Sequence, residues 1–170
     1  MKSNNIAKGG IFAALSLILL YLSSVFPTNR LFILVIASCI IPLSILLTGI
    51  KNTVIVYGAV SMLSLFIIPS KLIAISYILI FGSYGFVKYF IEKLRNIPIE
   101  FVLKLLYFNM SSAIIIFIYK LLLLKIPNVN IYLLIFFMEF SFLVYDYTLT
   151  IFIVYANNNL LKKFDKKRLG

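Results

Sequence analysis

The 170-residue chain has no histidine, no tryptophan, one cysteine and only five acidic residues. Each shortage excludes a kind of chemistry. Without histidine the commonest general base and metal ligand are missing, which removes rhomboid-like, zinc-protease and haem-binding readings. The lone Cys39, set in an apolar run, supports neither a disulfide framework nor a thiolate metal site. Serines and threonines occur without a histidine or a G-x-S-x-G turn, so acyl transfer has no base. No P-loop is present for nucleotide hydrolysis, and five scattered acids cannot build a two-metal phosphotransferase site. The expectation is a non-enzyme with no cofactor and no metal.

Charge is scarce as well, at 12% of residues, against 63% hydrophobic residues and a mean hydropathy of +1.10. A soluble domain is roughly half apolar and a quarter charged. A chain of this length cannot bury so much apolar surface in its own interior, so lipid must be its solvent. The abundance of Ile, Lys, Asn, Phe and Tyr points to an AT-rich, bacterial genome.

The net charge of +11 does not indicate a nucleic-acid partner. The basic residues punctuate the ends of hydrophobic segments, and the only dense cluster is the tail "KKFDKKR" (Lys162 to Arg168). In a membrane protein such residues mark the cytoplasmic side.

A spanning helix needs about 20 mostly apolar residues. The uncharged runs predict six spans, at about 8–27, 31–50, 53–69, 72–91, 99–124 and 131–156, followed by a basic tail, 157–170. "EKLRNIPIE" (Glu92 to Glu100) interrupts the pattern between spans four and five, because Pro98 and four charges cannot continue a lipid-facing helix. The first segment lacks a persuasive signal-peptidase site before Pro27 and reads as a retained helix. With both termini in the cytoplasm, twelve of the sixteen basic residues fall inside; Arg30, Lys71, Lys120 and Lys125 fall outside. The expected fold is a single-domain, all-α, six-helix transmembrane bundle, residues 1–170, with short loops.

Five polar residues stand out as ligand-binding candidates: Arg30, Asn109, Lys120, Glu139 and Asp146. Glu139 and Asp146 are two helical turns apart and share a face, extended by Thr150 and Asn157. Asn109, Ser112 and Lys120 share a face of the fifth span. If spans five and six form an antiparallel hairpin, Asn109 lies level with Asp146, and Lys120 leans toward Glu139. The expected contacts are an Asn109–Asp146 hydrogen bond and a Lys120–Glu139 ion pair. Such a seam serves a ligand or pathway, or only fixes two helices together.

Two further stretches are rich in small residues. In "AKGGIFAAL" (Ala7 to Leu15), Gly9 with Ala13 and Gly10 with Ala14 have the small-xxx-small spacing that admits a neighbouring helix. In "FGSYG", Gly82 and Gly85 permit a kink or a close backbone approach within span four, and Pro42 marks a kink in span two.

In size, helix number and topology the whole chain resembles the substrate-binding (S) components of energy-coupling-factor (ECF) vitamin transporters. The first helix is similar too, since S components carry small-xxx-small residues there that contact a transmembrane coupling subunit. The resemblance implies that Gly10 and Ala14, or Gly9 and Ala13, dock on that subunit, which belongs to a module with ATPases. It also implies a small molecule held near the outer side, where Arg30, Lys120 and Glu139, with Asn109 or Asp146, match by location. No vitamin is implied, and the absence of histidine departs from the nickel and cobalt types. The rod-shape-determining small membrane proteins have similar length and helix count, and imply an interaction scaffold instead.

Overall fold

The computed structural model describes residues 2–121 and 131–161. The expected outer loop with Lys125 and the basic tail from Lys162 to Arg168 lie outside the described residues. Among the described residues every regular element is helical: α1 (Lys2–Val25), α2 (Arg30–Thr48), α3 (Ile50–Ile67), α4 (Lys71–Ser76), a π-helix (Tyr77–Gly82), α5 (Tyr84–Glu92), α6 (Ile97–Leu121) and α7 (Ile131–Ala156). A second π-helical turn, Asn157–Leu161, continues α7. α4, the π-helix and α5 together form the fourth long segment, Lys71–Glu92. Six segments are thus long and apolar enough to cross a membrane.

Local chemistry explains the boundaries. α2 ends at Gly49, whose φ of 84° is left-handed and open to glycine without strain. α3 starts at the next residue. Around this tight turn Thr48 donates to the Ser44 carbonyl (2.8 Å), Thr53 donates to the Gly49 carbonyl (3.0 Å), and the Ser44 and Thr53 hydroxyls meet at 3.0 Å. Each hydroxyl is thereby satisfied inside the helix pair. α3 stops before Pro69, which cannot continue a helix. The Lys71 ammonium closes that end by donating to the carbonyls of Leu65 (2.6 Å) and Ile68 (3.3 Å). Between α5 and α6 the chain turns through Arg95, at a φ of 54°. α6 then begins at Ile97, two residues earlier than the expected start, with Pro98 in its first turn, where the missing N–H costs nothing.

α2 is the most buried segment and touches α1, α3, the π-helix, α5 and α7. Apolar side chains gather in two clusters. One joins Leu20, Leu34, Val56, Val60, Ile73 and Tyr77 of α1 to α4 and the π-helix. The other is aromatic, with Tyr84, Phe108, Phe142 and Tyr145, and Phe108 stacks on Phe142 with ring centroids 4.3 Å apart. The outer surface carries large exposed apolar side chains on every span, including Ile11, Phe32, Ile55, Phe90, Phe117 and Val154. In water such a surface would be strongly unfavourable; in lipid it is the solvent-matched one.

Helices in lipid gain little from hydrophobic association and rely on close packing and polar contacts. Both occur here. Serines 16, 23, 38, 44 and 64 are buried between helices. A Cβ on Gly85 would lie 2.8 Å from Ile41 and 3.1 Å from Pro42, so α5 crosses α2 at its proline. A Cβ on Gly82 would lie 2.9 Å from the Tyr57 ring and 3.0 Å from that of Tyr77. The expected break at "FGSYG" is therefore a π-helix followed by a close crossing. The carbonyls of the π-helix find partners across the bundle: Tyr57 donates to Ile78 (2.7 Å) and Tyr107 to Leu79 (2.7 Å). With its proton so used, the Tyr107 hydroxyl accepts from Ser83 (2.6 Å).

Candidate functional site: a closed charge ring and an open cavity

The acidic residue that anchors the polar interior is Asp146, on α7. Its Oδ1 accepts from the Tyr84 hydroxyl (2.7 Å) and from the Lys88 ammonium, and its Oδ2 accepts from Lys104 (3.2 Å). Lys104 also reaches Glu92 Oε1 at 3.1 Å, and Lys88 reaches the same oxygen at 3.2 Å. Lys88, Asp146, Lys104 and Glu92 thus form a ring of alternating charge whose sum is zero. It ties α5, α6 and α7 together.

Lys88 is the centre of this arrangement. It is fully buried, donates also to Thr150 Oγ1 (2.7 Å) and the Asp146 carbonyl (3.1 Å), and lies 5.9 Å from the centre of the Tyr84 ring. An ammonium has three N–H donors, and here more than three acceptors surround it. The desolvation cost of a buried cation is offset only by such complete pairing. Glu92, with its side chain 35% exposed, is the member of the ring nearest solvent or headgroups.

Three of these residues were not legible as a site. Lys88 and Lys104 sit near the predicted cytoplasmic ends of their spans, where basic residues signal orientation, and Glu92 falls in the inter-span break. The available signal was the spacing. Tyr84, Lys88 and Glu92 recur every four residues and so line one helix face.

The expected contacts of the seam are corrected by about two helical turns. Asn109 does not bond Asp146; its Nδ2 donates to Glu139 Oε1 at 3.4 Å and to the Leu105 carbonyl at 3.0 Å. Lys120 makes no ion pair with Glu139 among the described residues and is exposed. The reason is the pull of two cations. With Lys104 holding Asp146, and Phe108 stacked on Phe142, α6 is fixed with Asn109 level with Glu139. Lys120, eleven residues further along α6, then lies roughly 16 Å beyond. Nor are α6 and α7 a tightly packed hairpin: their backbones stand apart and long side chains bridge them.

Arg30 lies elsewhere, at the end of the bundle formed by the α1–α2 and α3–α4 turns. There it lines an open cavity of about 620 Å³ with Thr28, Asn29, Ser70, Ser76 and Tyr119. Among the described residues its guanidinium has no hydrogen-bond or ion-pair partner; only its carbonyl is engaged, by Ser23 (3.2 Å). The five sequence-derived candidates therefore separate. Arg30 faces the cavity, Asn109 and Glu139 meet on α6 and α7, Asp146 belongs to the charge ring, and Lys120 joins none of them.

The small residues of α1 also divide. Gly9 is buried, 3.1 Å from Val56 of α3 at its would-be Cβ, and Ala13 packs on the α1–α4 cluster. Gly10 has open space where a Cβ would stand, and Ala14 is exposed. Among the described residues no group of three or more acidic, cysteine or histidine side chains gathers to hold a metal ion. Comparison with protein-family models, curated proteins and solved structures finds no match.

Proposed function

We propose that this chain is the substrate-capture subunit of an uptake transporter of the energy-coupling-factor type, with both termini in the cytoplasm. The observation that carries the reading is the cavity beside Arg30. Its volume is in the range of small-molecule sites, roughly 300–1,000 Å³, and it combines one uncommitted guanidinium with hydroxyl and amide groups. A guanidinium fork matches carboxylate or phosphate, so the captured molecule carries an anionic group.

The orientation follows the basic residues. Lys88 and Lys104 are consumed by the charge ring, so they no longer count as topology signals. That leaves ten basic residues on the proposed cytoplasmic side against four opposite. In this orientation the cavity opens outward. Gly10 and Ala14 form the open face of α1 near the cytoplasm, where a transmembrane coupling subunit with its ATPases would pack.

Native mass spectrometry of the protein purified in mild detergent tests the reading. A stoichiometric small-molecule adduct, lost on Arg30→Gln, is expected. Ligand-free protein from every growth condition, or an adduct indifferent to Arg30, refutes it.

The charge ring favours a second reading, a scaffold similar to the rod-shape-determining membrane proteins. A neutral ring that satisfies itself offers nothing to a substrate and stiffens three helices. Copurification separates the two, with an ATPase module for a carrier and cell-wall synthesis proteins for a scaffold.

A further inference from the structure

Glu139 and Asp146 are carboxylates on one helix, two turns apart, with opposite circumstances. Asp146 collects donors from Tyr84, Lys88 and Lys104. Glu139 receives one hydrogen bond among the described residues, from Asn109, and at 3.4 Å it is at the long end of the range. An ionised carboxylate offers roughly four acceptor sites, so most of its capacity is unused. Asn109 is itself exposed and is the middle residue of α6 (Ile97–Leu121), and Glu139, level with it, lies eight residues inside α7 (Ile131–Ala156). A charge at that depth is costly unless it is paired.

The surroundings complete a helix-sized stripe. One turn either side of Glu139, Phe136 and Leu143 are exposed on α7; one turn either side of Asn109, Leu106 and Ala113 are exposed on α6. This is an apolar face with a single anionic point at its centre.

We infer that the α6–α7 face docks a transmembrane helix of a partner protein that carries a lysine or arginine near the middle of the bilayer. Charge complementarity selects this occupant over others. A second copy in a two-fold dimer would bring another Glu139 to the same depth and oppose like charges. Amine-bearing lipid headgroups stay at the interface, away from the centre of α6. The chain's own Lys88 and Lys104 are held in the ring. A cation delivered by a spanning helix reaches Glu139 Oε1 and Oε2, while Asn109 keeps one oxygen oriented. The inference is independent of the cavity at Arg30 and of the α1 face.

The test uses the full chain, fluorescently labelled, in lipid vesicles with synthetic spanning helices of about 20 Leu and Ala residues. One helix carries a single central Lys, a second has none, and a third carries its Lys one turn from an end. Energy transfer should report association of the central-Lys helix about tenfold tighter than the other two, a margin typical of a polar contact between membrane helices. Glu139→Gln should abolish the preference while the protein stays monodisperse in detergent. Glu139→Lys should instead prefer a helix with a central Glu, so the inference does not rest on one variant's folding. Equal binding of all three helices, or a preference that survives Glu139→Gln, overturns it. Self-association of the labelled chain that is lost on Glu139→Gln also overturns it, by assigning the face to a second copy.

Discussion

Replacing Lys88 by Met removes the buried cation and keeps most of the side-chain volume. Four acceptors lose the ammonium at once: Asp146 Oδ1, the Asp146 carbonyl, Thr150 Oγ1 and Glu92 Oε1. Breaking a buried ion pair from one side costs about 3–5 kcal/mol. Here Asp146 keeps Tyr84 and Lys104 and is 20% exposed, which places the expected loss near the lower end, about 3 kcal/mol. Removing the charge on both sides, Lys88→Met with Asp146→Leu, leaves the Lys104–Glu92 pair at 3.1 Å intact and buries no uncompensated charge. The double variant should therefore recover to within about 1.5 kcal/mol of wild type, a coupling well above the scatter of independent sites. The measurement is unfolding by sodium dodecyl sulfate in mild-detergent micelles, followed by circular dichroism because the chain has no tryptophan. A loss under about 0.5 kcal/mol for Lys88→Met, or strictly additive single changes, would refute the ring as the tie between α5, α6 and α7.

Other expectations follow from contacts already described. Gly85→Ala places a methyl 2.8 Å from Ile41 and 3.1 Å from Pro42, and overpacking of that kind should cost about 1–3 kcal/mol in the same assay. Gly10→Leu with Ala14→Leu meets open space, so folding should be unchanged while copurification of a coupling subunit is lost; retained copurification removes that face from the docking site. Gly9→Leu should instead destabilise the bundle itself, because Val56 stands 3.1 Å from the position of the new Cβ. Tyr84→Phe removes one donor to Asp146 and should lower stability by about 1.5 kcal/mol, the scale of a hydrogen bond to a charged group.

The spans were legible because lipid imposes a length rule that runs of Ile, Leu and Phe between lysines satisfy directly. Pro98 marked a real boundary, because a proline fits the first turn of a helix and not its interior. The polar interior was less legible. A lysine near the end of a span reads equally as a topology marker or as an inward partner, and only the packing of α5 against α7 decides for Lys88. The register of α6 on α7 depended on that decision. Once Lys104 holds Asp146, Asn109 is carried past Asp146 to Glu139. Glycines 82 and 85 announced a departure from regular helix, but their spacing could not distinguish a bend from an inserted residue.

That inserted residue has a consequence for how insertions and deletions would act. A π-turn takes in one residue more than an α-turn, which advances everything after it by about 100° around the axis. The face of α5 that presents Tyr84 and Lys88 to α7 and Glu92 to α6 is set by this offset, with Tyr57 and Tyr107 holding the widened turn from either side. Shortening 77–82 by one residue would restore uniform helix and rotate Lys88 away from Asp146 without altering any member of the ring. The number of residues between Lys71 and Tyr84 is thus itself a determinant of charge pairing, acting as a phase setting upstream of the residues it aligns.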